Sequence, residues 1–285
     1  MCERGIRGYI RRVTQPVDDW TLYAEHRAHF SAAISACAKD RAGGGRGRLC
    51  VLGAGKCNDL DLEQLAASFS EIHLVDIEPS ALAAATARQT PAVRARLKPH
   101  APVDLSGTPK KRLAKWASKT PSPAELYANQ SAATASIRSR LPGPFDVVAS
   151  ACILTQMSFA VRQALGERHR SLAAIRLSVV ATHLNSMVAL TAPGGSCLFT
   201  TDVVSSTTYP LLALAPGTDM QHVLSDVVAQ GASYFAANPK LILDLMRHDP
   251  GLAESVGEPS TLEPWLWTGP LERTYLVYAM RFERL

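Results

Sequence analysis

Short apolar runs alternate with longer segments of helical spacing along most of the chain. The apolar runs lie at residues 48–53, 71–76, 101–105, 145–149 and 196–201. The helical segments lie at residues 60–69, 80–88, 113–118, 124–140 and 167–190. Short runs without polar alternation are typical of strands that are covered on both faces. The pattern therefore predicts an α/β fold in which a largely parallel sheet lies between two layers of helices.

The start of the chain departs from this alternation. Asp18 and Asp19 predict the beginning of a helix that ends at about Ala38. The glycines of residues 43–47 predict a flexible joint after it. We therefore expect a helical extension at residues 1–44, followed by a main domain at residues 45–285.

The end of the chain is predicted to form two helices and then a β-hairpin. The helices are expected near residues 219–235 and 239–247, and the hairpin at residues 262–267 and 274–282, with a turn at Gly269-Pro270. Trp265 and Trp267 lie on the first strand of the hairpin, and we expect only one of them to face inward.

The composition is that of a globular chain with a substantial core. Of its 285 residues, 47% are hydrophobic and 19% are charged, which argues against disorder. No run approaches the roughly 18 uninterrupted apolar residues of a membrane span, so we expect no membrane contact. The six cysteines form no C-x-x-C pair, and the first residues lack the apolar core of a secretory signal. Reduced thiols in a cytoplasmic protein are the simplest interpretation.

The positive charge is concentrated in one segment. The net charge is +5, and residues 107–144 hold seven Lys or Arg against a single Glu. This segment interrupts the strand–helix alternation and is predicted to be a basic helical insertion. Its Trp116 and Tyr127 leave RNA binding open as an alternative. No nucleic-acid-binding module is visible, so we expect no nucleic-acid partner.

The strongest functional signal lies at the ends of the first three predicted strands. The first strand leads into Gly53-Ala54-Gly55 and then a helix, and such glycines let the backbone approach a ligand closely. Asp76 ends the second strand, 21 residues after Gly55, where a carboxylate accepts both hydroxyls of a ribose. Asp104 ends the third predicted strand, within reach of a base edge. Together these residues predict a cofactor that contains a nucleoside.

Two features disfavour a dinucleotide as that cofactor. Asn58 stands where the third glycine of a dinucleotide motif is expected. Asp59 and Asp61 lie at the start of the next helix, where carboxylates repel a pyrophosphate. Acidic residues there suit a cationic ligand, such as an amino group or a sulfonium.

In these residues the chain resembles the class I S-adenosylmethionine-dependent methyltransferases. The matching motifs are VLGAGKCND (51–59), HLVDIEP (73–79), DLSG (104–107), FDVVAS (145–150), APGG (192–195) and the closing hairpin. The resemblance covers roughly residues 45–285. It implies a Rossmann-like three-layer sandwich with a mostly parallel, seven-stranded sheet and an antiparallel C-terminal strand. It also implies S-adenosyl-L-methionine as cofactor and methyl transfer to nitrogen or oxygen of a small-molecule acceptor.

The resemblance further implies a role for each matching residue. The expected cofactor contacts are Gly53, Ala54, Gly55 and Asp59 beside the methionine part, Asp76 on the ribose, Ile77, Asp104 and Leu105 around the adenine, and Ser150, Ala151 and Cys152 near the transferred methyl. The extension at residues 1–44 is expected to cap the site, with Arg27 touching the cofactor's carboxylate or the substrate.

The acceptor side is less well defined by the sequence. The candidate substrate contacts are Tyr23, Gln156, Tyr209 and Trp265, and the candidate catalytic residues are Gln156, His183 and Tyr23. Packing of the N-terminal helix is the alternative role for Tyr23, and helix capping is the alternative for Gln156. Trp265 is more typical of packing, and a mid-helix histidine such as His183 is more typical of a core. Asp202 is the single carboxylate expected beyond the fourth and fifth strands, so we expect no metal.

Several alternatives stay open. The acceptor could be a protein or an RNA. From other classes, the chain could be an NAD-dependent oxidoreductase or a non-catalytic, cofactor-binding scaffold, because fold alone does not establish activity.

Overall fold

One sheet runs through the middle of the structure, with helices on both faces. The computed structural model describes residues 19–39, 46–269 and 273–285. The strands are β1 (Arg48–Leu52), β2 (Glu71–Val75), β3 (Leu97–His100), β4 (Phe145–Ala151), β5 (Thr191–Ser205), β6 (Ser260–Thr261), β7 (Trp265–Gly269) and β8 (Arg273–Glu283). The helices are α1 (Asp19–Leu22), α2 (Ala24–Lys39), α3 (Leu62–Ser68), α4 (Pro79–Ala87), α5 (Pro91–Arg94), α6 (Lys110–Ser118), α7 (Pro123–Arg140), α8 (Leu154–Leu165), α9 (Leu172–Leu190), α10 (Met220–Ala229) and α11 (Pro239–His248), with 3₁₀ turns at Leu211–Ala213 and Phe235–Ala237.

The sheet is mostly parallel, and its C-terminal strand is antiparallel. The order is β3-β2-β1-β4-β5-β8, and β6 and β7 both pair with the far edge of β8. The first five strands pair in parallel, whereas β8 is antiparallel to β5, β6 and β7. Because β6 and β7 both lie along the same edge of β8, the eight strands occupy seven positions across the sheet. Seven is the number of strands that the resemblance implies. The expected Rossmann-like sandwich is confirmed.

Each face of the sheet has its own hydrophobic core. One core, which includes Cys50, Phe145 and Phe199, lies under α6 to α11. The other, which includes Leu49, Val51 and Leu198, lies under α2, α3 and α4. Neighbouring residues of β1 therefore point into different cores, as strand geometry requires.

The helix of the N-terminal extension belongs to one of these layers. Helix α2 packs on β4, β5, β7 and α3. Phe30 and Ile34 are fully buried against the sheet. The predicted cap at Asp18 and residues 43–45 of the predicted joint lie outside the described residues, as does Pro270 of the hairpin turn.

The third strand lies earlier than the sequence predicts. It is Leu97–His100 and not residues 101–105, so Asp104 lies in the loop that follows the strand. The prediction placed the strand too late because the apolar residues of the run at 101–105 belong to the loop that follows β3. The proline within the strand, Pro99, is tolerated because β3 is at the edge of the sheet and pairs with β2 alone.

The segment after β4 also differs from the prediction. The long helix expected at residues 167–190 begins at Leu172, and a separate helix, α8, precedes it. Helix α9 has the length and composition of a membrane span, but 61% of the apolar window is buried. It packs on α7, α8 and β4, so it is a core helix, as expected.

The basic insertion forms two helices that pack on this same side. In α6, Leu113 and Trp116 are buried in the core, while the Lys and Arg side chains face outward. Trp116 is 2% exposed, so it is a core residue and presents no surface for stacking a base.

Candidate functional site

The glycine loop after β1 and the end of β2 form a single hydrogen-bonded unit. The backbone N–H of Gly53 donates to the Val75 carbonyl at 2.9 Å. The N–H of Gly55 donates to Oδ2 of Asp76 at 2.8 Å. The N–H of Glu78 donates to Oδ1 of Asp76 at 2.9 Å. The Asp76 carboxylate is therefore held by backbone groups at the carboxyl edge of the sheet, as the sequence predicts for a ribose-binding acid.

The two glycines of this loop serve different purposes. Both have positive φ, 79° for Gly53 and 50° for Gly55. A Cβ at Gly53 would lie 2.8 Å from Cδ1 of Ile153, whereas a Cβ at Gly55 would meet nothing within 4 Å. Gly53 is thus required by packing, and Gly55 borders open space above the loop.

The start of α3 is already occupied by carboxylates. Oδ1 of Asp61 accepts a 3.0 Å hydrogen bond from the N–H of Gln64 and so caps the helix. Burial raises the pKa of Asp59 to about 7, with a further contribution from the nearby Asp76 charge. No cation forms an ion pair with Asp59 among the residues that the structure describes. This end of the loop is suited to a cationic group and not to an anion.

On the ribose side, the loop after β3 runs beside Asp76. The N–H of Val103 donates to the Asp76 carbonyl at 2.9 Å. In that loop, Oδ1 of Asp104 accepts hydrogen bonds from the N–H and Oγ of Ser106, at 2.9 and 2.6 Å. The orientation of Asp104 is therefore fixed, although the residue lies beyond the strand and not at its end.

The two apolar residues expected around an adenine have different environments. Ile77 is 59% exposed, which is unusual for a large aliphatic side chain and leaves a flat apolar surface beside Asp76. Leu105 is 3% exposed and packs in the core with Trp116. The Ile77 side chain is therefore accessible beside Asp76, whereas the Leu105 side chain lies away from the surface.

The N-terminal helices are attached to the glycine loop. Nη1 of Arg27 donates to the carbonyl oxygens of Asn58 and Trp20, both at 2.9 Å. The Arg27 guanidinium also stacks on Trp20, 3.6 Å from the ring centroid. Arg88, which the sequence did not single out, donates to Lys56 O and to Oδ1 of Asn58. Both arginines thus bind the backbone or the Asn58 side chain of the loop. The positive charge of Arg27 also lies close enough to Asp59 to lower the pKa of that carboxyl.

At the end of β4, the three expected contact residues do not all face the edge of the sheet. The hydroxyl of Ser150 lies 2.7 Å from Nε2 of His183, and both residues are fully buried. Burial lowers the pKa of His183 to about 4. His183 is therefore a core residue and not a catalytic base, and the Ser150 side chain points into the core with it. Ala151 and Cys152 are buried at the end of the strand, and Cys152 has a φ of 44°.

Two of the four candidate substrate contacts, Tyr23 and Trp265, have packing roles in the structure. Tyr23 is 9% exposed and contacts Trp267 edge-on, with ring centroids 5.0 Å apart. Nε1 of Trp265 donates to Nδ1 of His26 at 3.0 Å. Trp265 and Trp267 are both buried, so the expectation that one of them faces outward was wrong: residues two apart on a strand share a face. Trp265 borders a cavity of about 320 Å³. It pairs with Val277 of β8, which also pairs with Asp202 of β5, so Trp265 lies level with Asp202 along the sheet.

The other two candidates remain at the surface. Gln156 is exposed on the first turn of α8, where Nε2 donates to the Cys152 carbonyl at 3.3 Å. Tyr209 is half-buried in the loop after β5 and packs on the core.

A pair that the sequence did not single out as a site lies beside Cys152. Oδ1 of Asp202, near the end of β5, accepts a 2.7 Å hydrogen bond from Oγ1 of Thr155. Asp202 is 7% exposed, and burial raises its pKa to about 7. In the sequence, Asp202 could be noticed because it directly follows the apolar run of β5. Nothing in the sequence indicated that Thr155 on α8 would be its partner.

The sequence and the structure were compared with known proteins. No family model matches the sequence, and no curated protein matches it. Solved structures do match. The N-methyltransferase NodS from Bradyrhizobium japonicum WM9 is 14% identical, with a TM-score of 0.47 over 94% of this chain and 99% of that chain. An O-methyltransferase from Bacillus cereus, in complex with S-adenosylhomocysteine, is 11% identical, with a TM-score of 0.47 over 99% and 100%.

A third match is the O-methyltransferase TomG from Streptomyces achromogenes, in complex with S-adenosylmethionine. It is 12% identical, with a TM-score of 0.44 over 98% of this chain and 96% of that chain. With identities this low, a function for this chain rests on its own residues. All three proteins are described as methyltransferases, which is the class that the motifs of this chain resemble.

Proposed function

We propose that the chain is an S-adenosylmethionine-dependent methyltransferase that acts on nitrogen or oxygen of a small molecule. The observation that carries this proposal is the Gly55–Asp76 unit with Asp59 beside it. It offers a fixed carboxylate for ribose hydroxyls and a second carboxylate for a cation, with open space between them at Gly55. That combination suits a nucleoside whose other end carries an ammonium group and a sulfonium.

The residues around the loop fit the remaining parts of this cofactor. Asp104 keeps one carboxylate oxygen for the adenine amino group, since Ser106 occupies the other. The exposed Ile77 side chain offers an apolar surface to the adenine ring. Arg27 holds the loop on the side where the cofactor's carboxylate would lie.

The protein's task in such a reaction is mainly positional. When bound, the cofactor supplies a methyl group that is already activated as a sulfonium. The chain must hold the acceptor in line with that methyl and exclude water, and alignment of this kind lowers a barrier by about 7–11 kcal/mol. The N-terminal helices, the loop after β5 and α8 surround the carboxyl edge and are proposed to form the acceptor pocket, with residues 1–44 as its cap.

The same residues argue against an NAD-dependent oxidoreductase. A pyrophosphate needs free amides at a helix start, but Asp61 caps α3 and Asp59 adds a second carboxylate. Helix α3 is also only 7 residues long. Repulsion between these carboxylates and a pyrophosphate disfavours a dinucleotide.

A small-molecule acceptor and a cytosolic location are part of the proposal. Of the two aromatic side chains of the basic insertion, Trp116 is buried and Tyr127 is 52% exposed, so a single ring is available to stack a base. The five cysteines in the described part of the chain are all buried and form no disulfide, which suits a reducing compartment.

Calorimetry with S-adenosylhomocysteine and, separately, NAD tests the cofactor. The wild type is compared with Asp76→Ala and with Asp244→Ala, an exposed aspartate on α11, as the control. We expect micromolar binding of S-adenosylhomocysteine that is lost in Asp76→Ala and kept in Asp244→Ala. Binding of NAD in its place would overturn the proposal. Cofactor binding without methylation of any acceptor would favour the non-catalytic scaffold.

A further inference from the structure

Asp202 is a buried carboxylate that lacks a cationic partner. It is 7% exposed, and its side chain accepts hydrogen bonds from Oγ1 of Thr155 and from its own backbone N–H. No Lys, Arg or His forms an ion pair with it within residues 19–39, 46–269 and 273–285. A buried charge without a partner is costly, so the site is poised to receive a positive group.

The location of Asp202 is the acceptor side of the carboxyl edge. The N–H of Cys152 donates to the Thr200 carbonyl at 3.1 Å, which continues the pairing of β4 and β5 to their ends. The Cys152 thiol lies beside Asp202, and the charges of Asp202 and Asp59 both add to the effect of burial in raising its pKa. Cys152 therefore connects the cofactor loop on β1 to Asp202 on β5.

The two carboxylates have different surroundings and so different tasks. Asp59 lies on the glycine loop, and the Arg27 charge opposes its own. Asp202 lies next to Thr155 on α8 and near Tyr234, whose pKa burial and the Asp202 charge both raise. Asp59 therefore has a cation nearby, whereas the neighbour that Asp202 contacts is a hydroxyl group of α8.

A metal ion is a poor candidate for the positive group. Metal sites need three or more ligands, and no group of three His, Cys, Asp or Glu side chains is placed to hold one in the part of the chain that the structure describes. An organic amine needs one carboxylate and one hydroxyl acceptor, which is what Asp202 and Thr155 provide.

We propose that Asp202 and Thr155 bind the ammonium group of the acceptor and that Asp202 takes its proton, so that the acceptor is an amine methylated on nitrogen. This inference rests on the proposed function. The amine gives one proton to the Asp202 carboxylate, and its freed lone pair forms the new N–CH₃ bond. The electron pair of the broken S–CH₃ bond stays on sulfur, and Asp202 then releases its proton to water.

Binding of matched probes to the S-adenosylhomocysteine complex tests the inference without turnover. Benzylamine, benzyl alcohol and benzoate share one skeleton, as do cyclohexylamine, cyclohexanol and cyclohexanecarboxylate. Calorimetry at pH 8 compares them on the wild type, on Asp202→Asn and on Asp244→Asn, an exposed control. We expect the amines to bind more tightly than the alcohols and acids, and Asp202→Asn to weaken amine binding by tenfold or more, as for a lost hydrogen bond to a charged group.

The outcomes separate this inference from the proposed function. Failure of the wild type to bind S-adenosylhomocysteine would overturn the function itself. If that ligand binds, the inference is overturned by equal or tighter binding of an alcohol or acid, by undiminished amine binding in Asp202→Asn, or by no amine binding at all. A Thr155→Val variant with intact S-adenosylhomocysteine binding is expected to lose amine affinity several-fold, because it keeps the carboxylate but loses the hydroxyl.

Discussion

The backbone N–H of Gly55 donates a 2.8 Å hydrogen bond to Oδ2 of Asp76. The other carboxylate oxygen is held by the N–H of Glu78, so backbone groups alone set the orientation of this acid. Backbone donors move less than side chains do, and a site built from them is already arranged before a ligand binds. Burial raises the pKa of Asp76, and these hydrogen bonds oppose that shift. The loop and the strand end thus form a rigid unit, which we propose binds the ribose of the cofactor.

Substitution of the two loop glycines should separate folding from ligand binding. Gly53→Ala places a Cβ against Ile153 at a φ of 79°, whereas Gly55→Ala adds a Cβ to open space at a φ of 50°. The left-handed backbone costs each variant about 1–2 kcal/mol, and overpacking costs Gly53→Ala roughly 1–3 kcal/mol more. We expect Gly53→Ala to show the larger loss in free energy of unfolding, measured by urea denaturation.

Gly55→Ala should instead weaken the binding of S-adenosylhomocysteine, by about tenfold, because the methyl group enters the space above the loop. The control is Gly231→Ala, which has a φ of 67° and open space but lies far along the chain, after α10. It carries the same backbone strain and should leave affinity unchanged. Equal affinities for Gly55→Ala and Gly231→Ala would show that no ligand passes over Gly55.

Arg27→Ala should weaken cofactor binding more than it destabilises the fold. The side chain ties Trp20 to the Asn58 carbonyl of the glycine loop, and it opposes the Asp59 charge. Its loss leaves the loop less restrained, and we expect about a tenfold rise in the dissociation constant of S-adenosylhomocysteine, as for hydrogen bonds to a charged group. Arg247→Ala, at an exposed position on α11, is the control. Unchanged affinity in Arg27→Ala would leave the N-terminal helices with a packing role only.

The cofactor side was predictable because its signals are local. The glycine loop, Asp59 and Asp76 each follow a buried strand directly, and parallel strands bring their ends to the same edge. Asp104 was expected at the end of the third strand and lies in the loop after it, because the strand ends at His100. The acceptor side was not predictable in this way. The pairing of Asp202 with Thr155, and of Ser150 with His183, joins residues 47 and 33 positions apart, and such contacts follow from how α8 and α9 pack on the sheet.

Acid should destabilise the protein partly through His183. Burial lowers its pKa from 6.5 to about 4, so the folded state binds this proton less readily than the unfolded state does. The contribution of His183 to stability is therefore complete above pH 6.5 and is lost as the pH falls towards 4. It amounts to about 3 kcal/mol at most.

A His183→Gln variant, which keeps a hydrogen-bonding side chain beside Ser150 without titrating, isolates this contribution. Between pH 6.5 and 4, its free energy of unfolding should fall less steeply than that of the wild type, by up to about 1.4 kcal/mol per pH unit. His248→Gln removes an exposed histidine on α11 and should follow the wild type. Parallel curves for wild type and His183→Gln would mean that His183 is not neutral in the fold.

Asp202 should have the opposite effect on stability. Burial raises its pKa from 3.8 to about 7, so between these values the folded state binds the proton that the unfolded state has lost. The contribution of Asp202 is present below pH 3.8 and is lost as the pH rises through 7. The titratable groups near it are Cys152 at the end of β4 and Tyr234, which lies near Arg273. None of them supplies a compensating ion pair.

Asp202→Asn should therefore be more stable than the unliganded wild type at pH 8. Asn keeps the hydrogen bond from Thr155 but cannot ionise. In the wild type, the shift of the Asp202 pKa from 3.8 to about 7 lowers the free energy of unfolding by roughly 4 kcal/mol once the carboxylate is fully ionised. We expect the difference in free energy of unfolding between variant and wild type, measured by urea denaturation, to grow from pH 5 to pH 8. Asp244→Asn should show no such trend. Replacing a buried acid commonly stabilises the fold when the acid is kept for binding. The reason is that the carboxylate charge destabilises the unliganded protein as long as no cation is bound beside it. A variant no more stable than the wild type at pH 8 would mean that Asp202 is already compensated, and the reason to expect an amine beside it would be gone.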